Sequence, residues 1–295
     1  MSSPANSPAS CARTLRDALN APAILVAPGA YDAITARIIQ AHGFAAVYVT
    51  GAGTVNAQFG LPDTGLISMT EMCDAVSRIA DAVKIPVFSD ADTGYGNEEN
   101  VARTVRAFEK AGAAGLHLED QVFAKRCGHL ADKRLVPVEE MCAKIAAAVE
   151  ARSDPDFVII ARTDAFGPEG YLAGVRRTHA YAEAGADVIF PEALTGPDEF
   201  ALYAAEAPRL PLLANMTEFG RTKLISASEF EAMGYAAVIF PMTALRLMLH
   251  AVDDGMAHLK ALGTQDGLLE SMRTRQDLYD LLDYVPSGGV PEVTL

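Results

Sequence analysis

Residues 85–121 contain the stretch of sequence that decides the fold. It reads Ile85-Pro86-Val87-Phe88, then Asp90-Ala91-Asp92-Thr93-Gly94-Tyr95-Gly96, then a helical pattern over 97–111, and finally Gly115-Leu116-His117-Leu118-Glu119-Asp120-Gln121. Two short apolar runs on either side of a helix are typical of a βαβ unit with parallel strands. Acidic residues follow both runs, so they lie at the carboxyl ends of the predicted strands.

The same unit recurs along the chain. Eight apolar runs predict strands, at 24–27, 45–49, 86–89, 115–118, 157–161, 187–190, 211–214 and 236–240. Helical patterns lie between them, among them 97–111, 138–152, 170–184 and 226–233, and a short helix is expected over 11–19. Eight strand and helix units predict an α/β protein, a (β/α)8 TIM barrel.

Polar residues follow nearly every predicted strand. A barrel brings the carboxyl ends of all its strands to one face, where catalytic residues lie. An open doubly wound sheet, the alternative, gathers ligands at a single switch point, so the barrel is favoured. The polar positions are Thr50 with Gly51 and Ala52, Asp90 with Asp92, Glu119, Arg162, Glu192, and Asn215 with Thr217.

Composition limits the class of protein. The chain has 295 residues, 50% of them hydrophobic, which suffices for one large core. We expect a disordered tail over 1–10, rich in Ser, Pro and Ala, and a single barrel domain over 11–295 with additional C-terminal helices. A net charge of −14 argues against nucleic acid or anionic membranes as partners. Without a long apolar run or a secretory pattern, a cytoplasmic location is expected.

One of four cysteines has a reactive setting. Cys11, Cys73, Cys127 and Cys142 are too sparse for a disulfide framework. Cys127 alone has basic neighbours, Lys125, Arg126 and His129, which favour the thiolate. A thiol among bases suits proton transfer to or from carbon.

Asp90 and Asp92 are interpreted as a magnesium site, because Mg²⁺ prefers hard oxygen ligands and keeps several waters. A solvated turn is the alternative, but the position after a buried strand favours the metal. Gly51-Ala52-Gly53 does not complete a dinucleotide motif, since Asn56 occupies the third glycine position and no clean helix is expected to follow. His117 is expected to point away from the site, and its role stays open.

Several motifs resemble the isocitrate lyase and phosphoenolpyruvate mutase superfamily. They are the Asp90 to Gly96 and Gly115 to Gln121 segments quoted above and Lys125-Arg126-Cys127-Gly128-His129. Phe190-Pro191-Glu192-Ala193, Leu213-Ala214-Asn215-Met216-Thr217-Glu218-Phe219-Gly220 and Thr274-Arg275-Gln276-Asp277-Leu278-Tyr279 are similar to later motifs of the 2-methylisocitrate lyase branch. The resemblance covers nearly the whole chain after the tail.

The resemblance implies cleavage of 2-methylisocitrate into pyruvate and succinate, with Mg²⁺, or alternatively Mn²⁺, as cofactor. Asp90 and Asp92 would hold the metal and Glu119 would support it. Cys127 would protonate the succinate carbanion and Tyr48 would take the hydroxyl proton, although Tyr48 is equally compatible with a core tyrosine. Substrate contacts are assigned to Thr50, Gly51, Ala52, Lys125, Gly128, His129, Arg162, Glu192, Asn215, Thr217, Arg246 and Arg275. For Arg246 and Arg275, surface salt bridges are the alternative.

One departure keeps other activities open. The branch usually has Ser-Gly-Gly where this chain has Thr50-Gly51-Ala52, and Thr-Gly is similar to carboxyphosphonoenolpyruvate mutases, 2,3-dimethylmalate lyases and oxaloacetate hydrolases. A non-catalytic barrel that binds a carboxylate is a remoter alternative. The resemblance also implies a homotetramer that exchanges helices within 243–284. The polar loop 121–136 is expected to close over bound substrate.

Overall fold

The computed structural model describes residues 10–126, 133–220 and 222–287. Eight parallel strands alternate with helices in this part of the chain. The strands are β1 (Leu25–Ala30), β2 (Val47–Val49), β3 (Val87–Asp90), β4 (Gly115–Glu119), β5 (Val158–Thr163), β6 (Val188–Pro191), β7 (Leu213–Asn215) and β8 (Ala237–Phe240). All eight predicted strands are confirmed, with ends that differ by three residues at most.

Helices follow the strands as the sequence pattern predicts. They are α1 (Cys11–Leu19), α2 (Ala33–Ala41), α3 (Gly51–Thr54), α4 (Met69–Ala82), α5 (Glu98–Lys110), α6 (Val138–Ala151), α7 (Tyr171–Glu183), α8 (Pro197–Glu206), α9 (Ala227–Ala232), α10 (Thr243–Leu262) and α11 (Arg275–Leu281). Their starts have local causes: the side chains of Asn97 and Ser226 accept backbone hydrogen bonds at the first turns of α5 and α9.

The strands form a nearly closed barrel, which confirms the TIM-barrel prediction. Their order is β6-β5-β4-β3-β2-β1-β8-β7. Gly29 on β1 allows close packing against the end of β8, since a Cβ there would lie 2.3 Å from the Pro241 carbonyl oxygen. Among the described residues, β6 and β7 are joined by one isolated bridge, between Ile189 and Leu212. We call this β6–β7 junction the seam.

Helix α1 closes the amino end of the barrel. Leu15 and Leu19 pack with strand residues such as Phe88 and Ile160, which point into the barrel interior. A second apolar core lies between the strands and the outer helices. Ser10 caps α1 by accepting a 3.1 Å hydrogen bond from Arg13 N. It thus belongs to the helix, while the rest of the expected tail, 1–9, lies outside the described residues. With the amino end filled, a ligand has access from the carboxyl end.

Helix α10 presents an apolar surface. Only Leu245 of its 20 residues is buried, and Leu247, Leu249, Val252 and Met256 are each about half exposed or more. No helix in the described part of the chain is long and apolar enough to cross a membrane. Exchange of helices within 243–284 between subunits stays a prediction.

Candidate active site

One cavity lies at the carboxyl ends of the strands. Its walls come from the ends of β2, β3 and β5 to β8, and from loops that include the one after β4. The lining residues are Tyr48, Thr50, Ala52, Asp63, Asp90, Lys125, Arg162, Phe190, Glu192, Asn215, Thr217, Ile239, Pro241 and Met242. Nine of them belong to the set that the sequence predicts, so most of that set converges on one place.

Three aspartates surround one lysine on one side of the cavity. Lys125 Nζ lies 2.5 Å from Asp63 Oδ1 and 3.0 Å from Asp92 Oδ1. Asp90 Oδ1 accepts a 2.9 Å hydrogen bond from Asp92 N. Burial raises the pKa of Asp90 and of Asp92, and the Lys125 charge acts against that rise. With three carboxylates near one ammonium group, this corner of the cavity attracts cations.

Gly51 allows the end of β2 to approach this corner. A Cβ on Gly51 would lie 2.4 Å from Asp90 Oδ2. Thr50 caps α3, because its side chain accepts a 3.1 Å hydrogen bond from Gly53 N. The expectation of no clean helix after Gly51 is therefore wrong: α3 begins there, and a π-helical turn, Val55–Phe59, continues it. The Thr50 hydroxyl accepts from an amide that has no partner within the first turn, and this N-cap bond stabilises the helix.

The acidic corner fits a divalent cation. Within residues 10–126, 133–220 and 222–287, no three His, Cys, Asp or Glu side chains form a preformed metal cluster. Mg²⁺ is usually held by one or two carboxylates, and waters and substrate oxygens complete its coordination. Buried Asp90 and Asp92 meet that requirement.

Glu119 lies deeper in the barrel and is strongly affected by burial. Neither of its carboxylate oxygens accepts a hydrogen bond from a described residue, although Arg162 Nε lies 3.3 Å from Oε2. Burial raises the pKa of Glu119 well above its usual value, and Arg162 acts against that rise. A buried carboxyl group without hydrogen-bond partners is one that a cation bound nearby would hold in its ionised form.

Arg162 is the central cation of the opposite wall. Its Nε and Nη2 lie 2.9 and 3.2 Å from the two oxygens of Asp164. Its Nη1 lies 3.6 Å from Glu192 Oε2, and its guanidinium lies over the Phe190 ring, 5.2 Å from the centroid. Burial opposes ionisation of Asp164, but Arg162 and Lys133 lower its pKa. Arg162 is thus held in one orientation beside the cavity.

Glu192 and Asn215 face each other across the seam. Asn215 Nδ2 donates to Glu192 Oε2 at 3.1 Å, and Asn215 Oδ1 accepts from none of the described residues. Thr217, which also lines the cavity, is buried nearby. These groups offer both donors and acceptors to a polar ligand.

Tyr48 and His117 form a buried pair under the cavity. Tyr48 Oη lies 2.8 Å from His117 Nε2, which is 3.5 Å from Asp90 Oδ1. Burial lowers the pKa of His117 to about 3 and raises that of Tyr48 well above its usual value. The expectation that His117 points away is wrong. Strand β4 runs straight, so alternation turns His117 and Glu119 to the same, inner side.

Neither of the two arginines predicted near the C-terminus is among the residues that line the cavity. Arg246 on α10 is partly buried and lies 3.0 Å from the Glu218 carboxylate and over the Phe219 ring, and its contact with substrate stays a prediction. Arg275 begins α11 and is exposed, so the fold of one chain does not bring it to the cavity. Cys127, Gly128 and His129 lie outside the described residues.

Three charged residues at or near the cavity, Asp63, Asp164 and Lys133, are absent from the set predicted from the sequence. Asp63 lies in a loop without a preceding strand, where Pro62-Asp63-Thr64-Gly65 resembles an ordinary turn. Asp164 follows Arg162 by two positions, the spacing of Asp90 and Asp92, and this signal could have revealed it. Lys133 Nζ lies 2.8 Å from Asp164 Oδ1.

Fold and site together define a class: a (β/α)8 barrel enzyme with a cation-attracting corner and an arginine wall in one cavity. The family model for phosphoenolpyruvate phosphomutase matches residues 15–260. The chain therefore belongs to the phosphoenolpyruvate mutase and isocitrate lyase superfamily, as the motifs indicate.

Relatives and solved structures agree with this membership. A probable 2-methylisocitrate lyase of Corynebacterium glutamicum is 48% identical over 92% of this chain and 89% of its own. A 2,3-dimethylmalate lyase of Eubacterium barkeri is 45% identical over 92% and 93%. A crystal structure of 2,3-dimethylmalate lyase superposes with a TM-score of 0.88 at 40% identity, covering 94% of this chain and 92% of that one. Phosphonopyruvate hydrolase in complex with oxalate and Mg²⁺ superposes with a TM-score of 0.85 at 30% identity, over 93% and 95%.

Proposed function

We propose that this protein is a Mg²⁺-dependent carbon-carbon lyase that cleaves 2-methylisocitrate into pyruvate and succinate. The observation that supports it most is that Asp90 and Arg162 line the same cavity, which offers a cation site and an anion site to one ligand. A 2-hydroxy acid with further carboxylates needs both. Relatives described as 2-methylisocitrate lyases, 43–48% identical, support this substrate.

Asp90 and Asp92 would hold Mg²⁺, with Mn²⁺ as a possible substitute, and Glu119 would orient the metal's waters from behind. The bound ion supplies Lewis-acid polarisation of the substrate's hydroxyl oxygen. Only as a phenolate could Tyr48 take the hydroxyl proton as the pyruvate carbonyl forms, so it must first give up its own proton, for which His117 Nε2, 2.8 Å away, is the adjacent acceptor. Burial and Asp90 oppose the ionised tyrosine, and Arg162 and Lys125 favour it, so the surrounding charges set its readiness.

Breaking the carbon-carbon bond leaves a carbanion beside a succinate carboxylate, and Cys127 delivers the proton there. Arg162 binds a substrate carboxylate by charge-assisted hydrogen bonds, with Glu192, Asn215 and Thr217 beside it. Backbone and side-chain donors of Thr50, Gly51 and Ala52 complete that pocket, and Lys125, Gly128 and His129 close it from the loop 121–136. Arg246 and Arg275 are assigned to substrate only in an assembly that brings their helices to the cavity.

Cleavage of 2,3-dimethylmalate is the second candidate. Thr50-Gly51-Ala52 favours it, and so do the relative and the crystal structure with that activity. The metal and proton chemistry would be the same, because both substrates are 2-hydroxy acids that release pyruvate by carbon-carbon cleavage. The two substrates therefore require pockets of different shape around the part of the molecule that does not become pyruvate.

A coupled assay for pyruvate release tests the function. It uses 2-methylisocitrate, isocitrate, 2,3-dimethylmalate and oxaloacetate with Mg²⁺. Product analysis then identifies succinate or propionate formed together with pyruvate, glyoxylate from isocitrate, and oxalate from oxaloacetate. We expect cleavage of 2-methylisocitrate that is lost with EDTA and in Cys127→Ser. Cys142→Ser, on α6, is the matched control and should keep full activity. Turnover of 2,3-dimethylmalate or oxaloacetate alone would overturn the first assignment. Inactivity with all four substrates would favour a mutase or a non-catalytic carboxylate-binding barrel.

The apolar surface of α10 supports self-association of the chain, which we propose is a homotetramer that works in the cytoplasm. Leu247, Val252 and Met256 expose large side chains along the helix, and a second copy of the chain would cover them. Light scattering tests the assembly: a tetramer is expected, and a monomer at micromolar concentration would contradict it. Limited proteolysis within 121–136 tests loop closure, since Mg²⁺ with substrate should protect the loop from cleavage.

A further inference from the structure

A buried cluster of charged and hydroxyl groups lies just outside the barrel, behind Arg162. At its centre is Asp120, the residue after β4, whose side chain is fully buried. Asp120 Oδ2 accepts from Tyr181 Oη at 2.8 Å and from Thr163 Oγ1 at 2.6 Å, and Arg177 Nη1 lies 3.4 Å away. Tyr181 and Arg177 both come from α7. The mechanism proposed above uses none of these groups.

Asp120 connects this cluster to the site through Asp164. Its other oxygen, Oδ1, accepts from the backbone amide of Asp164 at 2.9 Å. Asp120 therefore holds both the side chain of Thr163 and the amide of the next residue. The position of Asp164 fixes in turn the guanidinium of Arg162, through the bonds of 2.9 and 3.2 Å described above.

Arg177 holds the cluster in place from outside. Its Nε and Nη2 donate to the two oxygens of Glu169, at 2.8 and 2.7 Å. Its Nη1 donates to Tyr181 Oη at 3.0 Å and to the Val136 carbonyl at 3.1 Å, and Val136 N donates back to the Asp120 carbonyl at 2.9 Å. One side chain thus links α7, the segment that enters α6 and the end of β4.

We propose that Asp120, Arg177 and Tyr181 are positioning residues for Arg162 and act through Asp164. They touch no substrate, but they set the angle at which the Arg162 guanidinium meets a carboxylate in the cavity. Bidentate recognition of a carboxylate depends on such an angle, because two parallel N–H bonds must align at once. The substrate class rests on the proposed function, whereas anion binding by Arg162 does not.

The test measures binding of oxalate with Mg²⁺ by calorimetry. Tyr181→Phe removes one donor to Asp120 and keeps the ring, and we expect the oxalate Kd to rise by roughly threefold, the effect of one hydrogen bond partly lost. Arg177→Lys keeps the charge but loses the multiple contacts, and a rise of roughly tenfold is expected. In the cleavage assay KM should rise by the same factors, with kcat nearly unchanged, because binding of ground and transition states weakens together.

Arg152→Lys is the matched control. Arg152 also pairs with a partly buried aspartate, Asp187, at 2.6 Å, but at the amino end of the barrel. It should lower the melting temperature and leave the oxalate Kd unchanged. A double variant supplies the sharpest readout: in an Arg162→Lys background, Arg177→Lys should cause no further loss of affinity, since coupled residues are not additive.

Each of three results in the variants would overturn the proposal. They are an oxalate Kd at the wild-type value in both α7 variants, an equal rise of Kd in the control, and an additive rise in the double variant. Failure of the wild type to bind oxalate would also overturn it, because Arg162 would then have no anion to orient. Failure of the proposed function is distinguishable: the wild type would cleave no substrate while oxalate binding still responded to the α7 variants.

Discussion

The two ends of this barrel use buried charge in opposite ways. At the amino end, Asp187 accepts from Ile159 N at 2.9 Å, from Arg152 at 2.6 Å and from Arg16 at 3.0 Å. At the carboxyl end, Glu119 is more deeply buried and accepts a hydrogen bond from no described residue. The difference shows which end is built to stabilise the fold and which is built to bind a ligand.

The contrast extends to the surrounding structure. Helix α1 fills the amino end with Leu15 and Leu19, and Glu109 accepts the backbone amides of Ser153 and Asp154 there. The carboxyl end instead keeps an open cavity with three aspartates around Lys125. Ligand binding would supply the partners that the buried charged groups of the carboxyl end lack in the folded protein. The unfavourable electrostatic energy is therefore concentrated at the candidate active site.

The largest expected effect separates activity from stability. Asp90→Asn should lower the rate of 2-methylisocitrate cleavage by about 10³-fold, roughly 4 kcal/mol, because the metal loses an anionic ligand. The melting temperature should stay the same or rise, since burial penalises the Asp90 charge. Asp187→Asn is the counterpart at the other end and should keep the rate within a factor of about three. Equal losses of activity in both variants would contradict the assignment of catalysis to the carboxyl end and of stability to the amino end.

The second effect is the converse, a loss of stability without loss of activity. Arg152→Met leaves the Asp187 carboxylate with fewer donors, and we expect a loss of about 3 kcal/mol in the free energy of unfolding, measured with urea. Steady-state kinetics of the folded variant should match the wild type. A loss below about 0.5 kcal/mol would show that the amino-end network contributes little.

The third effect depends on pH and concerns His117. Burial lowers its pKa to about 3, while an unfolded histidine titrates near 6.5, so the folded state is disfavoured as pH falls through that window. At pH 5 the cost to the wild type is about 2 kcal/mol relative to pH 7. His117→Asn should therefore lose less stability than the wild type between pH 7 and 5 in thermal unfolding. Tyr48→Phe, which keeps the histidine, should retain the wild-type slope, and parallel slopes in all three proteins would contradict this account.

The smallest effect comes from Glu119. Its pKa is raised in the folded state, so its stabilising form is the protonated one, and stability is lost as pH rises above the unfolded value near 4.3. Without Mg²⁺, Glu119→Gln should raise the melting temperature at pH 8 by about 2–4 °C and leave it unchanged at pH 4. The gain is small because a buried amide also needs hydrogen bonds. A lower melting temperature at pH 8 would show that the Arg162 contact outweighs burial.

The sequence predicts much of the fold because the barrel repeats one unit. Short apolar runs locate the strands, and polar residues after them, such as Asp90, Arg162 and Asn215, converge on the cavity because parallel strands end on the same side. Asp63 could not be predicted in this way, since its approach to Lys125 depends on the path of a loop. The inward direction of the His117 side chain could be predicted only if β4 was known to run straight to Glu119.

Long-range placement is the second limit of the sequence. The motifs around Arg246 and Arg275 resemble substrate-binding segments, yet in one chain these side chains lie on surface helices. Whether such a residue reaches a cavity depends on how copies of the chain assemble, which local patterns do not encode. The cluster around Asp120 could not be predicted for a related reason. Arg177 and Tyr181 follow Asp120 by 57 and 61 positions in sequence.

The seam between β6 and β7 gives the barrel a mechanical property. Among the described residues one isolated bridge, between Ile189 and Leu212, joins these strands, so we expect this junction to be the most compliant part of the ring. Glu192 and Asn215 stand on its two sides. Backbone amides along it should exchange with deuterium sooner than those of β3 and β4. A ligand bound by both side chains would link β6 to β7. The stiffness of the barrel would then depend on the ligand, and the barrel would be most rigid in the complex.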